Sequence, residues 1–271
     1  MTIARDPWWP RLRRVGSDKQ GHPRVSDWFC AVTRWAIYID VEGSSTMYAS
    51  DEAQFFAAVD ALMDGICRIG SLVCPETPNR LFVHQTGGDG FIIVSEFAQR
   101  SPELPIAIGV VLMQTILATG GVAKAGISQG AFADVSGCFA TLTRYPEDQG
   151  GRRRLGRGLM TVFPVMGTAL INAHRLAIRT PRGARLAVDS SMMTQIPDGV
   201  VVSQTEKDLI VVDWVHTRTS LIDEIIAKTN LRLPSTAELQ ERLVAYVAKT
   251  AATTDEDWRH YTLCLNGCRS K

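Results

Sequence analysis

The stretch Ala36-Ile37-Tyr38-Ile39-Asp40-Val41-Glu42-Gly43-Ser44-Ser45 decides the fold. It starts with apolar, partly β-branched residues, reaches an acid, and then passes into a Gly-Ser turn. This order is typical of a buried strand that leads into a helix. We therefore expect a strand over residues 35–40, with Asp40 at the point where the chain leaves it.

A second stretch, His84-Gln85-Thr86-Gly87-Gly88-Asp89-Gly90-Phe91, has the pattern of a hairpin. Apolar runs on both sides predict strands at about 80–85 and 90–95, and the glycines between them provide the positive φ angles of a tight turn. Asp89 is expected on that turn. Two carboxylates beside glycine-rich backbone at neighbouring strand ends are suited to a pair of divalent cations on a triphosphate.

The rest of the chain alternates between helical and strand-like patterns. Apolar residues at intervals of three and four predict helices, and short β-branched runs predict strands. The predicted helices span about 45–72 with a break near 50–51, 103–119 as an amphipathic helix, 168–177 after Gly167, and most of 220–271 apart from Pro234. The predicted strands span about 123–134 with a bend, 160–163, 184–188, 199–203 and 209–214, and the polar segment 138–158 is predicted to be an extended loop.

This order predicts an α+β fold of the ferredoxin-like βαββαβ type, with a mixed sheet and helices on one face. Residues 1–25 are expected to form a basic flexible arm, residues 30–217 the core domain, and residues 218–271 a helical C-terminal extension. In such a core the first strand lies beside the glycine hairpin. Asp40 is therefore expected near Asp89.

Composition excludes several classes of protein. The 271 residues are 45% hydrophobic and 21% charged, with a formal net charge of +1, so nucleic-acid binding is not expected. Membrane spans and a signal-peptide core are not apparent, which makes the cytoplasm the default location. The six cysteines have no CxxC spacing, so zinc and a disulfide framework are not expected. The arginines at 152, 153, 154 and 157 are interpreted as a solvated loop.

The motifs resemble the catalytic domain of class III nucleotidyl cyclases over roughly residues 34–215. The segment from Tyr38 to Ser44 is similar to the family's strand with its first metal aspartate, and Gly88-Asp89-Gly90-Phe91 is similar to its second. The bend from Gly126 to Gly130 and the helix from Gly167 to Leu176 follow in the family's order.

The resemblance implies a reaction and a set of residues. Asp40 and Asp89, with the carbonyl of Val41, would hold two Mg²⁺ or Mn²⁺ ions, and the amides around Gly43, Ser44 and Ser45 would bind phosphate oxygens. Arg175 would neutralise charge in the transition state. Because the family's site lies between two subunits, the resemblance also implies a homodimer.

Departures from the family pattern concern the substrate. Gln85 stands where adenylyl or guanylyl cyclases carry Lys or Glu, Pro164 replaces their second base-reading residue, and Ile171 replaces an asparagine. These losses resemble the pyrimidine cyclases of bacterial Pycsar anti-phage systems, whose products are read by a separate effector with a cyclic-nucleotide-binding domain. Tyr38 would narrow the pocket so that it fits a base with a single ring, and Gln85 would contact the edge of that base. UTP is favoured over CTP as the substrate.

Several alternatives remain open at this point. Adenylate or guanylate cyclase activity would keep the mechanism and change only the base. Gly87-Gly88-Asp89-Gly90-Phe91 resembles the GGDEF signature of diguanylate cyclases, although Gly90 replaces the acidic fourth residue. A nucleotide-binding module without catalysis is the third alternative. On simpler interpretations Asp89 is an ordinary turn residue and Arg175 belongs to a solvated helix face.

Overall fold

A computed structural model describes residues 33–76, 78–97, 101–134, 147–148, 152–155, 157–161, 165–205, 208–264 and 267. The predicted basic arm and Pro164 lie outside the described residues. The chain divides into two compact units. The main unit comprises Thr33–Gly130 and Ala169–Lys271, and the small unit comprises Met1–Val32 and Ala131–Thr168.

Outside the segment 138–158, the helices and strands follow the predicted order, with bounds shifted by a few residues. The strands are β1 (Thr33–Val41), β2 (Phe82–Thr86), β3 (Gly90–Glu96), β4 (Ala123–Ala131), β5 (Ala133–Asp134), β6 (Glu147–Asp148), β7 (Arg152–Leu155), β8 (Gly158–Thr161), β9 (Val165–Met166), β10 (Leu186–Asp189), β11 (Val202–Thr205) and β12 (Leu209–Val212). The helices are α1 (Ser44–Ser50), α2 (Glu52–Arg68), α3 (Glu103–Ala118), α4 (Thr168–Arg179), α5 (Ser220–Thr229), α6 (Thr236–Lys249) and α7 (Glu256–Cys264).

The predicted α+β fold is confirmed by the sheet of the main unit. Its seven strands have the order β11-β12-β10-β4-β1-β3-β2, in which β4-β1-β3-β2 is the order of a ferredoxin-like βαββαβ core. β1 and β3 are antiparallel, whereas β4 and β10 are parallel, so the sheet is mixed as predicted. Helices α5, α6 and α7 confirm the helical C-terminal extension. The domain boundary at residue 217 stays a prediction.

The long helical stretch after β1 breaks where the sequence predicts. Asp51 lies between α1 and α2, and its carboxylate accepts a hydrogen bond of 3.1 Å from the backbone N–H of Gln54. A short side-chain acceptor at this position satisfies an otherwise unpaired amide and fixes the start of α2. The last turn of the stretch, Ile69–Val73, is a π-helix.

Helices cover both faces of the sheet, so the prediction of helices on one face was wrong. Ile127 of β4 points toward α3, because a side chain built at Gly109 would lie 3.5 Å from its Cδ1. Gly126 points the other way, and a Cβ there would lie 2.7 Å from the carbonyl oxygen of Ala173 in α4. The missing side chain at Gly126 thus allows α4 to pack directly on β4. We call this side of the sheet the α4 face and the other side the α3 face.

Helix α3 is buried all round rather than amphipathic as predicted. Residues 105–117 are all buried, because α2 and the sheet cover one part of the helix while α5 and α6 cover another. Within α3 the buried amide nitrogen of Gln114 donates to the carbonyl oxygen of Trp214 at 2.7 Å, whereas its Oε1 has no hydrogen-bond donor among the described residues. An apolar sequence on every side of a helix indicates such a central position.

In the small unit the described residues form short antiparallel pairs. β5 pairs with β9, and β6, β7 and β8 form a three-stranded sheet. The prediction of an extended loop over 138–158 was therefore wrong for its described part, since Arg152, Arg153 and Arg154 lie on β7. Among the residues that can be described anywhere in the chain, no helix is long and apolar enough to cross a membrane.

Candidate active site at the end of strand β1

The structure brings Asp40 and Asp89 to neighbouring strand ends. Ile39 of β1 lies opposite Phe91 of β3, so that the next residue of β1, Asp40, reaches the level of the hairpin turn that carries Asp89. Gly87 and Gly88 have φ angles of 64° and 102°, which confirms the predicted role of the glycines in this turn. The two carboxylates are close enough for the charge of Asp89 to affect Asp40.

Asp40 is an unusual carboxyl group. Burial raises its pKa to about 7, and the negative charges of Glu42 and Asp89 act in the same direction. Lys124 opposes them in part, and its ammonium donates to the carbonyl oxygen of Thr180 at 2.9 Å. The charges of two further carboxylates thus act on Asp40 at the end of β1, and Lys124 near the start of β4 offsets them only in part. Such an accumulation of negative charge favours binding of a cation.

One oxygen of Asp40 points to where a cation would bind. Oδ1 is buried and has no hydrogen-bond donor within the described part of the chain. A buried carboxylate oxygen without a partner is costly, and a divalent cation would satisfy it. Among the described residues no three His, Cys, Asp or Glu side chains converge, so further ligands have to come from the backbone, such as the Val41 carbonyl, and from substrate oxygens. With ligands of this kind added, the residues present fit the predicted Mg²⁺ or Mn²⁺.

Tyr38 lies beside Asp40 on the α4 face. Its hydroxyl donates to Asp40 Oδ2 at 3.4 Å, and its ring packs edge-to-face against His174 of α4 with centroids 4.7 Å apart. Burial and the charges of Asp40 and Asp89 raise the pKa of Tyr38 to about 12, so the phenol remains protonated. Tyr38 therefore presents a fixed aromatic ring next to the acidic end of β1.

Gly90 makes room for Tyr38. A Cβ at Gly90 would lie 3.2 Å from the Tyr38 hydroxyl and 2.9 Å from the hydroxyl of Thr86. The acidic residue that the GGDEF signature has at this position would crowd both side chains. The departure from that signature thus has a steric reason in this chain.

Gln85 lies on the opposite face from Tyr38. Residues directly opposite each other in antiparallel strands share a face, and Gln85 lies opposite Phe91, which lies opposite Ile39. Phe91 and Ile39 belong to the core on the α3 face. The Gln85 amide also donates to the carbonyl oxygen of Gly88 in its own turn. The structure therefore does not bring Gln85 to the same surface as Tyr38.

The predicted phosphate cradle lies at the start of α1. Gly43 is the N-cap residue, with a φ of 73°, and Ser44 and Ser45 are the first two residues of the helix. Neither serine is therefore the N-cap residue of α1. Their backbone amides are at the N-terminal end, where unpaired N–H groups accumulate. Their role in phosphate binding stays a prediction.

Arg175 lies in a separate cleft of about 410 Å³, lined by α4 and the end of β10. Its neighbours there include Asn172, Asp189 and Ser190. The Asn172 amide donates to the carbonyl oxygen of Gln129 at 3.0 Å, so this asparagine is engaged with β4. Within one chain the structure does not place Arg175 in contact with the Asp40 carboxylate.

Sequence reasoning missed the second acid of the first motif and its partner. Glu42 lies two residues after Asp40, and its Oε1 accepts a hydrogen bond of 2.9 Å from the indole N–H of Trp258 in α7. Both residues line a cavity of about 540 Å³ between α1 and the helices α6 and α7. The available signal for Glu42 was its closeness to Asp40 in the sequence, one residue beyond the end of β1. The sequence held no signal for Trp258, which is 216 residues away.

The chain matches no protein-family model and no curated protein. Among solved structures it is similar to one described as the guanylyl cyclase Cya2, with 14% identity over 68% of this chain and 91% of that chain and a TM-score of 0.43. It is similar as well to a bacterial light-regulated adenylyl cyclase, with 12% identity over 82% of this chain and 61% of that chain and a TM-score of 0.44. It is also similar to the GGEEF domain of a Vibrio cholerae diguanylate cyclase, with 16% identity over 36% of this chain and 62% of that chain and a TM-score of 0.26. Likenesses at this level do not bear on activity, which has to be inferred from the chain's own residues.

Proposed function

We propose that the chain is a nucleotide cyclase that converts UTP, and less readily CTP, into the 3′,5′-cyclic monophosphate and pyrophosphate. The observation that carries the proposal is the buried Asp40 Oδ1, which lacks a hydrogen-bond donor among the described residues and lies in the field of Asp89 and Glu42. An acidic strand end of this kind is suited to divalent cations on a triphosphate. The motif order that resembles class III cyclases supports the same assignment.

The reaction joins two parts of one nucleotide. The ribose 3′-oxygen forms a bond to the α-phosphorus, the bond from that phosphorus to the oxygen bridging to the β-phosphorus breaks, and the hydroxyl proton is released. Divalent cations, when bound, would make the 3′-hydroxyl more acidic and neutralise the charge of the triphosphate.

The chain's own residues would hold and orient the nucleotide. Asp40 and Asp89 would anchor the cations, with the Val41 carbonyl beside them, and the amides at Gly43, Ser44 and Ser45 would bind phosphate oxygens. Fixed charges that are already in place at a strand end and a turn need little rearrangement during the reaction.

Arg175 would act in a homodimer. Its guanidinium lies in the cleft between α4 and β10, not against Asp40 of its own chain. In the arrangement that the family resemblance implies, Arg175 of one subunit stabilises the pentacoordinate phosphorus held by the aspartates of the other. The isolated subunit is then inactive.

The base preference rests on Tyr38. Its ring is fixed by His174 and lies within 3.4 Å of Asp40 through its hydroxyl, so it limits the space next to the acidic strand end. A pyrimidine has one ring where a purine has two, and a restricted pocket favours the smaller base.

The proposed biological role is that of an alarm signal in bacterial anti-phage defence. It rests on the resemblance to Pycsar cyclases, and a separate effector with a cyclic-nucleotide-binding domain would read the product. Nucleoside triphosphates are cytoplasmic, so we place the enzyme there.

The test is turnover of each nucleoside triphosphate with Mn²⁺, with products identified by mass. Wild type is expected to form cyclic UMP, and Asp40→Asn is expected to form no product because it cannot anchor the cation. Cyclic AMP or GMP would keep the mechanism and contradict the base preference. A cyclic dinucleotide from GTP would replace the proposal by a diguanylate cyclase. Absence of any product from the wild-type dimer would favour a nucleotide-binding module.

A further inference from the structure

We infer that His84, rather than Gln85, is the side chain of β2 that reads the nucleotide base. The inference deepens the proposed cyclase function and rests on it. It follows from the register of the hairpin, which decides which residues of β2 share a face with Tyr38 and Asp40.

The register places His84 in one row with Tyr38. Tyr38 lies opposite Ile92, and Ile92 lies opposite His84. Directly opposed residues of antiparallel strands project from the same face, and a shift of one residue reverses the face. His84 therefore shares the α4 face with Tyr38, whereas Gln85 belongs to the next row and the other face.

An independent contact confirms which face is which. Val83 and Phe91 line a groove together with Met63 and Ile66 of α2, so the odd-numbered residues of β2 and their partners face the helices on the α3 side. Tyr38 contacts His174 of α4, which identifies the opposite side. Gln85 belongs to the first set by its pairing with Phe91, and its amide is already used within the turn.

The row has the chemistry of a site for a flat, polar ring. Ile92 provides a partly exposed apolar surface between two polar rings, Tyr38 and His84. Two strand spacings of about 4.8 Å separate those rings, so the row is about 10 Å wide. Apolar walls with a few directed polar groups are typical of small-molecule sites. Asp40, the next residue of β1 on this face, lies beside the same row.

The state of the imidazole fits base recognition. Burial lowers the pKa of His84, so that the ring is neutral near pH 7. A neutral imidazole has one N–H donor and one acceptor nitrogen. It can therefore donate to the O4 carbonyl of uracil or accept from the exocyclic amine of cytosine, and the tautomer determines which base is preferred.

The test compares His84→Ala with the matched control Gln85→Ala, using kcat/KM for UTP, CTP, ATP and GTP. We expect His84→Ala to reduce the preference for the favoured pyrimidine about tenfold, since one hydrogen bond to the base is lost. Gln85→Ala should change it less than about twofold, because the side chain faces away. His84→Gln, which keeps a donor and an acceptor, should retain most of the preference.

Equilibrium binding separates this inference from the cyclase proposal. Each triphosphate is titrated into wild type and both alanine variants with Mn²⁺, after circular dichroism has shown that the variants are folded. A base preference that depends on His84 without any cyclic product would retain the inference and reject the cyclase. A preference unchanged in His84→Ala, or one lost in Gln85→Ala, would overturn the inference, as would the absence of any base preference in wild type.

Discussion

The indole N–H of Trp258 donates a hydrogen bond of 2.9 Å to Oε1 of Glu42. It connects the C-terminal helix α7 to the end of β1, two residues beyond Asp40. Trp258 is buried, and Glu42 contributes to the raised pKa of Asp40. The C-terminal extension therefore holds one of the charges that surround the candidate cation site.

Replacing Trp258 by Phe tests this connection. Trp258→Phe keeps an aromatic ring but leaves the Glu42 carboxylate without its donor and creates a small cavity. We expect the free energy of unfolding to fall by about 2 kcal/mol. Urea denaturation measures it. The control is Val244→Ala on α6, an exposed site where the loss should stay below about 0.5 kcal/mol. Equal stability of Trp258→Phe and wild type would show that the hydrogen bond contributes nothing.

The raised pKa of Asp40 predicts a pH dependence of stability. Folding raises this pKa from its usual 3.8 to about 7, so the folded protein binds the proton more tightly than the unfolded chain. The stabilising effect of the proton is complete below about pH 4 and is lost as the pH rises through 7.

Asp40→Asn should therefore become more stable than wild type between pH 4 and pH 8 in a chelating buffer. The gap should reach on the order of 2 kcal/mol, reduced from the full effect because the carboxyl is partly exposed. Thermal unfolding of both proteins across this range measures it. Added Mn²⁺ should remove this difference in stability, because it should stabilise wild type and not Asp40→Asn. Parallel pH profiles of the two proteins would contradict the account of Asp40.

Gly126 is predicted to be essential for the position of α4. A Cβ there would lie 2.7 Å from the Ala173 carbonyl oxygen and from the Ala177 amide nitrogen, both of which are backbone atoms. Gly126→Ala should lower the free energy of unfolding by about 1–3 kcal/mol and lower turnover, because α4 carries Arg175 and His174. The control is Gly70→Ala, where the nearest atom, Leu81 Cδ1, is at 3.7 Å. Similar effects of both substitutions would refute the packing argument.

Local patterns in the sequence predicted the fold well where an element is defined by its own residues. The strand at Asp40, the glycine hairpin and the break near Asp51 all follow from turn and capping residues within a few positions. The two faces could not be predicted in this way. The position of α4 depends on Gly126, and the burial of α3 depends on α5 and α6, which come more than 100 residues later in the chain.

The candidate site also combines features that local sequence predicts with features that depend on the folded structure. Asp40 and Asp89 could be paired from the sequence, because adjacent strands in a known topology bring their ends together. Gln85 could not be placed, since a shift of one residue in register exchanges the faces, and register is a property of the folded hairpin. The hydrogen bond between Glu42 and Trp258 could not be predicted either, because the two residues are 216 positions apart in the sequence.

Mixing two inactive variants tests the proposed dimer. Asp40→Ala lacks one half of the site and Arg175→Ala lacks the other. If the two halves come from different subunits, a mixed dimer contains one intact site. Co-refolded equal amounts should then recover roughly a quarter of wild-type turnover, because half of the dimers are mixed and each holds one of two sites. No recovery in a mixture shown to contain mixed dimers would place both residues in the same subunit's site.

The central claim is that Asp40 and Asp89 hold divalent cations on a nucleoside triphosphate, and Mn²⁺ binding tests it most directly. Electron paramagnetic resonance counts bound Mn²⁺ in the presence of 3′-deoxy-UTP, which binds but cannot cyclise. We expect about two ions for each wild-type subunit and a loss of this binding in Asp40→Asn and Asp89→Asn. Equal Mn²⁺ binding by wild type and both variants would contradict the assignment of this strand end as the catalytic centre.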